Sequence, residues 1–413
     1  MSHGFFNMIS RREFEALLLG FPVLGGETVA LNEATGRVLA DALIAAHDWP
    51  LTDRSCMDGF AVDARDAFGA SESNPAYLEC VAELSVEEEP DVTLMPGECA
   101  RISTGGSLPE GTDAVVMVEH TNEMEGGTVE IHKAAAPGLN VMRRGEDVRA
   151  GAPALEAGTL IRPQEIGMAA AMGFETVRVG LRPKVGIIST GDELIPVNET
   201  PRPGKVRDVN THALAAMAEA RGATCTRYGI VRDDLESLKN ALERSVTEND
   251  VTLLSGGSSV GVRDFTVGAI EALPDSTLLA HGVAISPGKP AILGRVGEKA
   301  VVGLPGQVAS AQVVMTVLIQ PFLRHLQGDP DPFDRTTWPG LHAVMARNVA
   351  SKQGREDYVR VKIEERDGEP PLAHPVLGKS GLLRTMLRAE GLAVIPAEAE
   401  GVYEGAPMRI LTL

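Results

Sequence analysis

The chain has 413 residues, 44% of them hydrophobic, and a formal net charge of −19. A chain of this length outgrows one hydrophobic core, so several domains are expected. Without a block of basic residues, that charge excludes nucleic acid as a partner of the bulk surface, while a few cations focused in one cleft can still serve an anionic ligand.

Cys56, Cys80, Cys99 and Cys225 stand far apart with no CxxC spacing, so neither a zinc site nor a disulfide framework is signalled. The start lacks a basic stretch followed by an apolar core, and no run is long enough to span a bilayer. A cytoplasmic protein without membrane contact is expected.

Ser10-Arg-Arg-Glu13 is a capping box, with Ile9 and Phe14 placed as a hydrophobic staple, and Phe14, Leu17, Leu18 and Phe21 follow at helical spacing. A strand over 28–31 and a helix over 33–45 come next. At Pro50 the texture changes to short strand-like runs and turns that continue to about Pro137, as in a small β-rich module. Asp58 and Thr104 sit on its tips, where a carboxylate before glycine usually bonds its own backbone. Arg143, Arg144, Glu146 and Asp147 surround one glycine, either as a solvated ion-pair cluster or as a cleft wall. A helical patch covers 165–172. The segments flanking the β-rich module are expected to pack together, making the module an insertion.

From Pro183 the pattern is α/β: a strand over 185–188, a helix capped by Asn210, a strand over 226–231, and a helix over 235–246. A third strand leads into Ser255-Gly-Gly-Ser-Ser259, followed by a helix over 265–273. Strands separated by helices imply a parallel sheet whose ligands sit at the carboxyl ends of the strands. That rule gathers Asp192, Glu193, Asp233, Asp234, Ser255, Gly256, Gly257, Ser258, Ser259 and Asp264 at one edge. The serine hydroxyls and nearby backbone N–H groups suit a phosphate or similar oxyanion.

Two more turns follow, Ser286-Pro-Gly-Lys-Pro290 and Gly303-Leu-Pro-Gly306, before a long apolar helix over 307–326. The first offers Lys289 in a rigid loop. Beyond Gly328 a linker leads to alternating strands at 357–363 and 407–411, expected to form a β-sandwich or barrel. Gly378-Lys-Ser-Gly381 lacks the upstream glycine and strand-to-helix context of a phosphate loop, and that reading is rejected.

Ser55-Cys-Met-Asp-Gly-Phe-Ala, Arg143-Arg-Gly-Glu-Asp, Ser189-Thr-Gly-Asp-Glu-Leu, Ser255-Gly-Gly-Ser-Ser-Val-Gly, Ser286-Pro-Gly-Lys-Pro and Gly303-Leu-Pro-Gly, in this order, resemble the molybdopterin molybdenumtransferase (MoeA) family, relatives of the gephyrin E domain. The resemblance covers nearly the whole chain. It implies an elongated multidomain α/β plus β protein: a mixed α/β N-terminal domain (1–50 and 138–180), an inserted β-rich module (51–137), a central α/β parallel-sheet, molybdopterin-binding domain (181–327) and a C-terminal β domain (328–413). It further implies magnesium-assisted insertion of molybdate into adenylylated molybdopterin, with AMP released. The expected homodimer shares its active cleft between subunits, and a contact with the enzyme that adenylylates molybdopterin is also expected.

Carried over, Asp58 and Thr104 act from the neighbouring subunit and Asp147 supports the cleft. Glu193, Asp233 and Asp264 bind metal or substrate, while Ser255, Gly256, Gly257, Ser258 and Ser259 cradle phosphates. The molybdate pocket takes Ser286, Lys289, Ser310, Arg360 and Ser380. Ser286 stands where many members have lysine, Gln307 and Val308 where Asn-Pro is common, and Cys56 where alanine is usual. Tungstate has the same charge and nearly the same size as molybdate, so tungstate insertion is an alternative. A molybdopterin adenylyltransferase would resemble residues 181–327 standing alone, so the accessory domains, Arg360 and Ser380 argue against it. A gephyrin-like scaffold would not need Asp58, Glu193, Asp264 and Lys289.

Overall fold

The capping box at Ser10 starts helix α1 (Arg11–Leu19): the Ser10 hydroxyl accepts from the Glu13 N–H and the Glu13 carboxylate accepts from the Ser10 N–H. The computed structural model describes residues 8–256 and 260–413, with the side chains of 260–264 excepted. The chain divides into two compact units: 1–41, 157–162 and 176–413 form one, and 42–156 with 163–175 form the other.

The larger unit is built on a six-stranded sheet. Strand β1 (Lys184–Thr190) leads through α2 (Asn210–Glu219) to β2 (Thr224–Val231), and α3 (Leu235–Glu248) leads to β3 (Val251–Gly256). After α4 (Val260–Glu271) come β4 (Ser276–His281), β5 (Ile292–Val296) and β6 (Lys299–Leu304). The spatial order is β2-β1-β3-β6-β5-β4, parallel over the first four strands and antiparallel at β5 and β4. The expected parallel sheet thus gains an antiparallel edge, because β4, β5 and β6 are joined by connections too short for helical crossovers.

Beyond Lys184 every residue of β1 is buried, which fits a strand covered on both faces. Val185, Ile187, Leu253 and Val302 meet α1, α2 and the helix around Phe322 on one side; Ile188, Leu254 and Val301 meet α3 and α4 on the other. The expected helix over 307–326 is present as α5 (Val308–Val314), a π turn (Met315–Ile319) and α6 (Gln320–Leu326). Pro321 explains the interruption: proline has no N–H to give and crowds the preceding turn, so the helix widens there.

Also in this unit, Gly26–Ala30 pairs antiparallel with Thr176–Gly180. The C-terminal strands Glu356–Arg366, Glu369–Pro375, Gly340–Met345, Pro407–Thr412 and Gly391–Ile395 close on themselves, since the first also pairs with the last. This is a small β-barrel filled by Met345, Val361 and Ile410. Ile285–Ser286 pairs in parallel with Glu356–Asp357 and so docks the Ser286–Pro290 loop against the barrel.

The smaller unit holds a second six-stranded sheet, in the order Ala114–Met117, Gly59–Val62, Glu98–Ile102, Ala76–Glu83, Thr128–Ile131 and Thr121–Glu123, over a core around Phe60, Leu78 and Val129. Helix Pro163–Ala171 lies in the same unit. A side chain at Gly59 would sit 2.0 Å from the Val116 carbonyl oxygen, so only glycine lets these strands approach.

The helix expected over 33–45 does not form. Only Leu31–Glu33 makes a short 3-10 turn; Gly36 takes a φ of +78°, Val38 and Leu39 bridge to Leu160 and Val179, and Leu43–Ile44 is a strand. Backbone pairing with distant strands overrides a weak helical pattern here.

Candidate active site

In the order β2-β1-β3 the chain reverses direction across the sheet at β1, and ligands of such sheets bind where β1 and β3 end. A cleft of about 600 Å³ opens there. Its floor is Ser189 and Thr190 from β1 with Ser255 and Gly256 from β3. Gly256 has a φ of +142°, and a Cβ there would meet the Thr190 carbonyl oxygen at 2.0 Å. The glycine is thus required for the two strand ends to close together.

Of the predicted phosphate cradle, Ser255 and Gly256 line the cleft, whereas Gly257, Ser258 and Ser259 lie outside the described residues. Exposed Glu193 also lines it. Asp233 is held behind the β1 end, its carboxylate accepting from the Thr190 hydroxyl at 2.5 Å and the Asp192 N–H at 3.3 Å. The neighbouring Asp234 caps α3 through the Ser237 N–H, which holds its carboxyl below the usual range. The backbone of Asp264 lies in α4, but its side chain is outside those described.

Among the described residues no three His, Cys, Asp or Glu side chains converge as a metal cage. Magnesium does not need one, since it is commonly held by one or two carboxylates together with substrate phosphates. Glu193 lines the cleft, and an Asp233 carboxylate accepting two hydrogen bonds keeps lone pairs to spare.

The opposite wall comes from the segment between β1 and α2, whose Lys205, Arg207 and Asp208 the sequence does not single out, together with Asn210. The Lys205 ammonium donates to the Asp192 carbonyl and Arg207 Nε donates to the Glu199 carbonyl at 3.0 Å. Buried Asp208 accepts from the Ser189 hydroxyl at 3.0 Å and the Thr211 N–H at 3.1 Å. Asn210 does not cap α2, as expected from its type; Val209 occupies that position and Asn210 is the first helical residue. Its amide instead donates to Ser255 Oγ at 2.8 Å and the Gly306 carbonyl at 2.9 Å. A basic Gly-Pro loop, Pro203-Gly-Lys-Val-Arg207, following a strand end was the signal that could have found this wall.

The third side brings in the loop that resembled half a phosphate loop: Gly381 and Leu383 line the cleft with Gly306, Gln307 and Val308. The Ser380 carbonyl accepts from the Ala309 N–H at 3.0 Å, tying this loop to the start of α5, where Ser310 is buried. Arg360 shapes the loop from the face of its strand opposite the barrel core, donating to Thr385 Oγ1 at 2.5 Å and the Gly378 carbonyl at 3.0 Å. It is 8% exposed, and burial holds its pKa below the usual arginine value. Among the described residues these hydrogen bonds go to neutral groups, so the cation is left uncompensated by a carboxylate. Ser286 is half-buried at the barrel edge, and the side chain of Lys289 is exposed.

In the smaller unit, exposed Asp58 accepts from the Thr104 N–H at 2.6 Å and the Thr104 hydroxyl at 2.9 Å. The expectation that Asp58 bonds its own turn is replaced by a link between two strand tips. Those bonds, the backbone one first, hold its carboxyl below the usual range. Asp147 is exposed, and its N–H donates to the Trp49 carbonyl at 3.1 Å. Nearby Arg143 and Arg144 pair with Asp53 and Asp48.

Three stretches match known families: residues 9–173 the MoeA N-terminal region (domain I and II), 186–325 a probable molybdopterin binding domain, and 342–413 the MoeA C-terminal region (domain IV). Molybdopterin molybdenumtransferase 2 of Mycobacterium tuberculosis is 34% identical over 398 residues, covering 94% of this chain and 95% of that protein. Molybdopterin molybdenumtransferase of Nostoc sp. is 33% identical over 94% of this chain and 88% of its own length. The crystal structure of the molybdopterin biosynthesis MoeA protein from Pyrococcus horikoshii superposes with a TM-score of 0.79 at 30% identity, covering 98% of this chain and 100% of that one. The chain belongs to the molybdopterin molybdenumtransferase (MoeA) family.

Proposed function

We propose that this chain inserts molybdate into adenylylated molybdopterin, releasing AMP, as a step of molybdenum cofactor biosynthesis. The observation that carries the reading is the β1/β3 cleft, where strand-end hydroxyl and amide donors, two cations and two carboxylates share about 600 Å³, a volume suited to a pterin-sized ligand. Ser255 and the Gly256 N–H would bind a phosphate oxygen, with Lys205 and Arg207 balancing its charge. Lys289, Ser310, Ser380, Ser286 and the uncompensated Arg360 would receive the molybdate oxyanion. With serine at 286, this pocket has one cation fewer than one built with lysine there.

Magnesium, held by Glu193 and Asp233 with Asp264 contributing, would neutralise charge on the phosphate and so improve AMP as a leaving group. Asp58, ionised at neutral pH and oriented by Thr104, is suited to accept hydrogen bonds or face a cation and not to donate a proton. In this reading Asp58, Thr104 and Asp147 serve a cleft shared between two subunits of a cytoplasmic homodimer. Among the described residues no helix is long and apolar enough to cross a membrane.

The test supplies the purified protein with adenylylated molybdopterin, magnesium and either molybdate or tungstate, and follows AMP release together with cofactor formation. Turnover that needs both the divalent ion and an oxyanion is the expected result. Absence of turnover with both oxyanions removes the proposal, and preference for tungstate reassigns the substrate.

A further inference from the structure

We propose that Asn210 is a positioning residue of the cleft, holding the Ser255 hydroxyl as a hydrogen-bond donor toward the bound ligand. The inference rests on the cleft being the molybdopterin site. Asn210 is 6% exposed, and its Nδ2 donates to both Ser255 Oγ and the Gly306 carbonyl. A carbonyl can only accept, so the amide nitrogen must face Gly306, and this fixes the side chain's orientation. Ser255 Oγ therefore receives a proton from Asn210 and keeps its own proton for another acceptor. Ser255 is itself 2% exposed and lines the cleft at the end of β3, where an anionic group of the ligand is the natural acceptor.

The remaining atom of the amide supports a dedicated role. Among the described residues Asn210 Oδ1 is buried without a hydrogen-bond partner. A buried orphan acceptor is costly, and it persists where the other half of the group has work that a simpler residue could not do. Here Nδ2 joins the ends of β3 and β6 to the first turn of α2, three segments that meet at the cleft. Aspartate would fill the same space, but its two acceptors would repel the Gly306 carbonyl and draw the Ser255 proton away from the ligand.

The test measures equilibrium binding of molybdopterin to the full chain and to N210D, N210A, S255A, N210D/S255A and N210A/S255A, with thermal midpoints recorded alongside. Loss of one charge-assisted hydrogen bond should weaken binding by about tenfold in S255A, and by a similar factor in N210D. Because Asn210 acts through Ser255, N210A/S255A should bind no more weakly than S255A alone. Losses that instead multiply to about 100-fold would show a general structural role and overturn the inference. If N210A fails to fold, the near-isosteric and uncharged N210L, alone and with S255A, decides the matter. Wild-type protein that does not bind molybdopterin removes the cleft assignment and this inference with it; wild type and S255A binding equally removes the inference alone.

Discussion

Thr104 gives Asp58 two hydrogen bonds at one oxygen, and their effects on the carboxyl are separable. The backbone N–H contributes more than the hydroxyl, and both favour the ionised form. A carboxyl whose folded pKa is depressed adds stability that is complete above its unfolded value, near 3.9, and lost as pH falls through the folded value. Asp58 is accordingly charged throughout the physiological range. Thr104→Val keeps the shape and the backbone bond but deletes the hydroxyl. The Asp58 carboxyl, followed by carbon-detected NMR titration, should then move part of the way back toward 3.9. No movement would mean that the hydroxyl bond does not form in solution, and a complete return would mean that the backbone bond does not.

At the scale of elements, α1 and the C-terminal barrel share a largely buried ionic network. Glu356 on the barrel accepts from Arg11 of α1 at 3.0 Å, from Arg335 at 3.0 Å and from the Tyr358 hydroxyl at 2.7 Å. Burial pushes the Glu356 carboxyl up, yet Arg335, Tyr358 and Arg11 together outweigh it and leave it below the usual range. The contribution of Glu356 is thus full above about pH 4.3 and is lost at more acidic pH. Glu356→Ala leaves the Arg335 guanidinium without its carboxylate partner and Arg11 with Glu15 alone, which should cost about 3 kcal/mol. Trp338, whose ring lies 5.9 Å from the Arg335 guanidinium, reports on this region in urea unfolding of a Trp49→Phe background. A loss under about 1 kcal/mol would show that water takes over the role of Glu356. Nothing in the sequence around Arg11, Arg335 or Glu356 announces this cluster, because its members are hundreds of residues apart or in a linker. The strand ends were legible for the opposite reason: Val185–Ile188 and Val251–Leu254 are local apolar runs, and the turn chemistry after them follows directly. Asn210 fell between these cases. Its type suggested a cap, which is a local role, while its contacts with Ser255 and Gly306 are tertiary. Lys205 and Arg207 were hidden by a loop with no periodicity, and Gly381 joins the cleft through tertiary ties of its loop to the start of α5 and to Arg360.

Across the whole molecule the negative charge is unevenly spread. Between Asp63 and Ile131, all within the smaller unit, there are sixteen Asp and Glu against two Arg, a net charge of −14 out of −19. Several of these acids crowd together: Glu87, Glu88 and Glu89 are consecutive and exposed, and Glu79 stands level with Glu98 on the paired strand. The ion pairs Arg65–Asp63 and Arg101–Glu123 offset few of them. Like charges at this density repel one another in the folded unit more than in the expanded chain, so they lower its stability. Salt screens that repulsion, the Debye length falling from roughly 20 Å at 20 mM to about 4 Å at 500 mM. The two tryptophans fall one in each unit, so Trp49 follows the acidic unit in a Trp338→Phe variant. Its thermal midpoint should rise with sodium chloride over that range by roughly 3–6 °C, as for a gain of about 1 kcal/mol in a domain of this size. Replacing Glu87, Glu88 and Glu89 by glutamine should raise the low-salt midpoint and flatten the salt dependence. A midpoint that falls with salt in the parent would mean that attractive pairs, not repulsion, dominate the electrostatics of this unit.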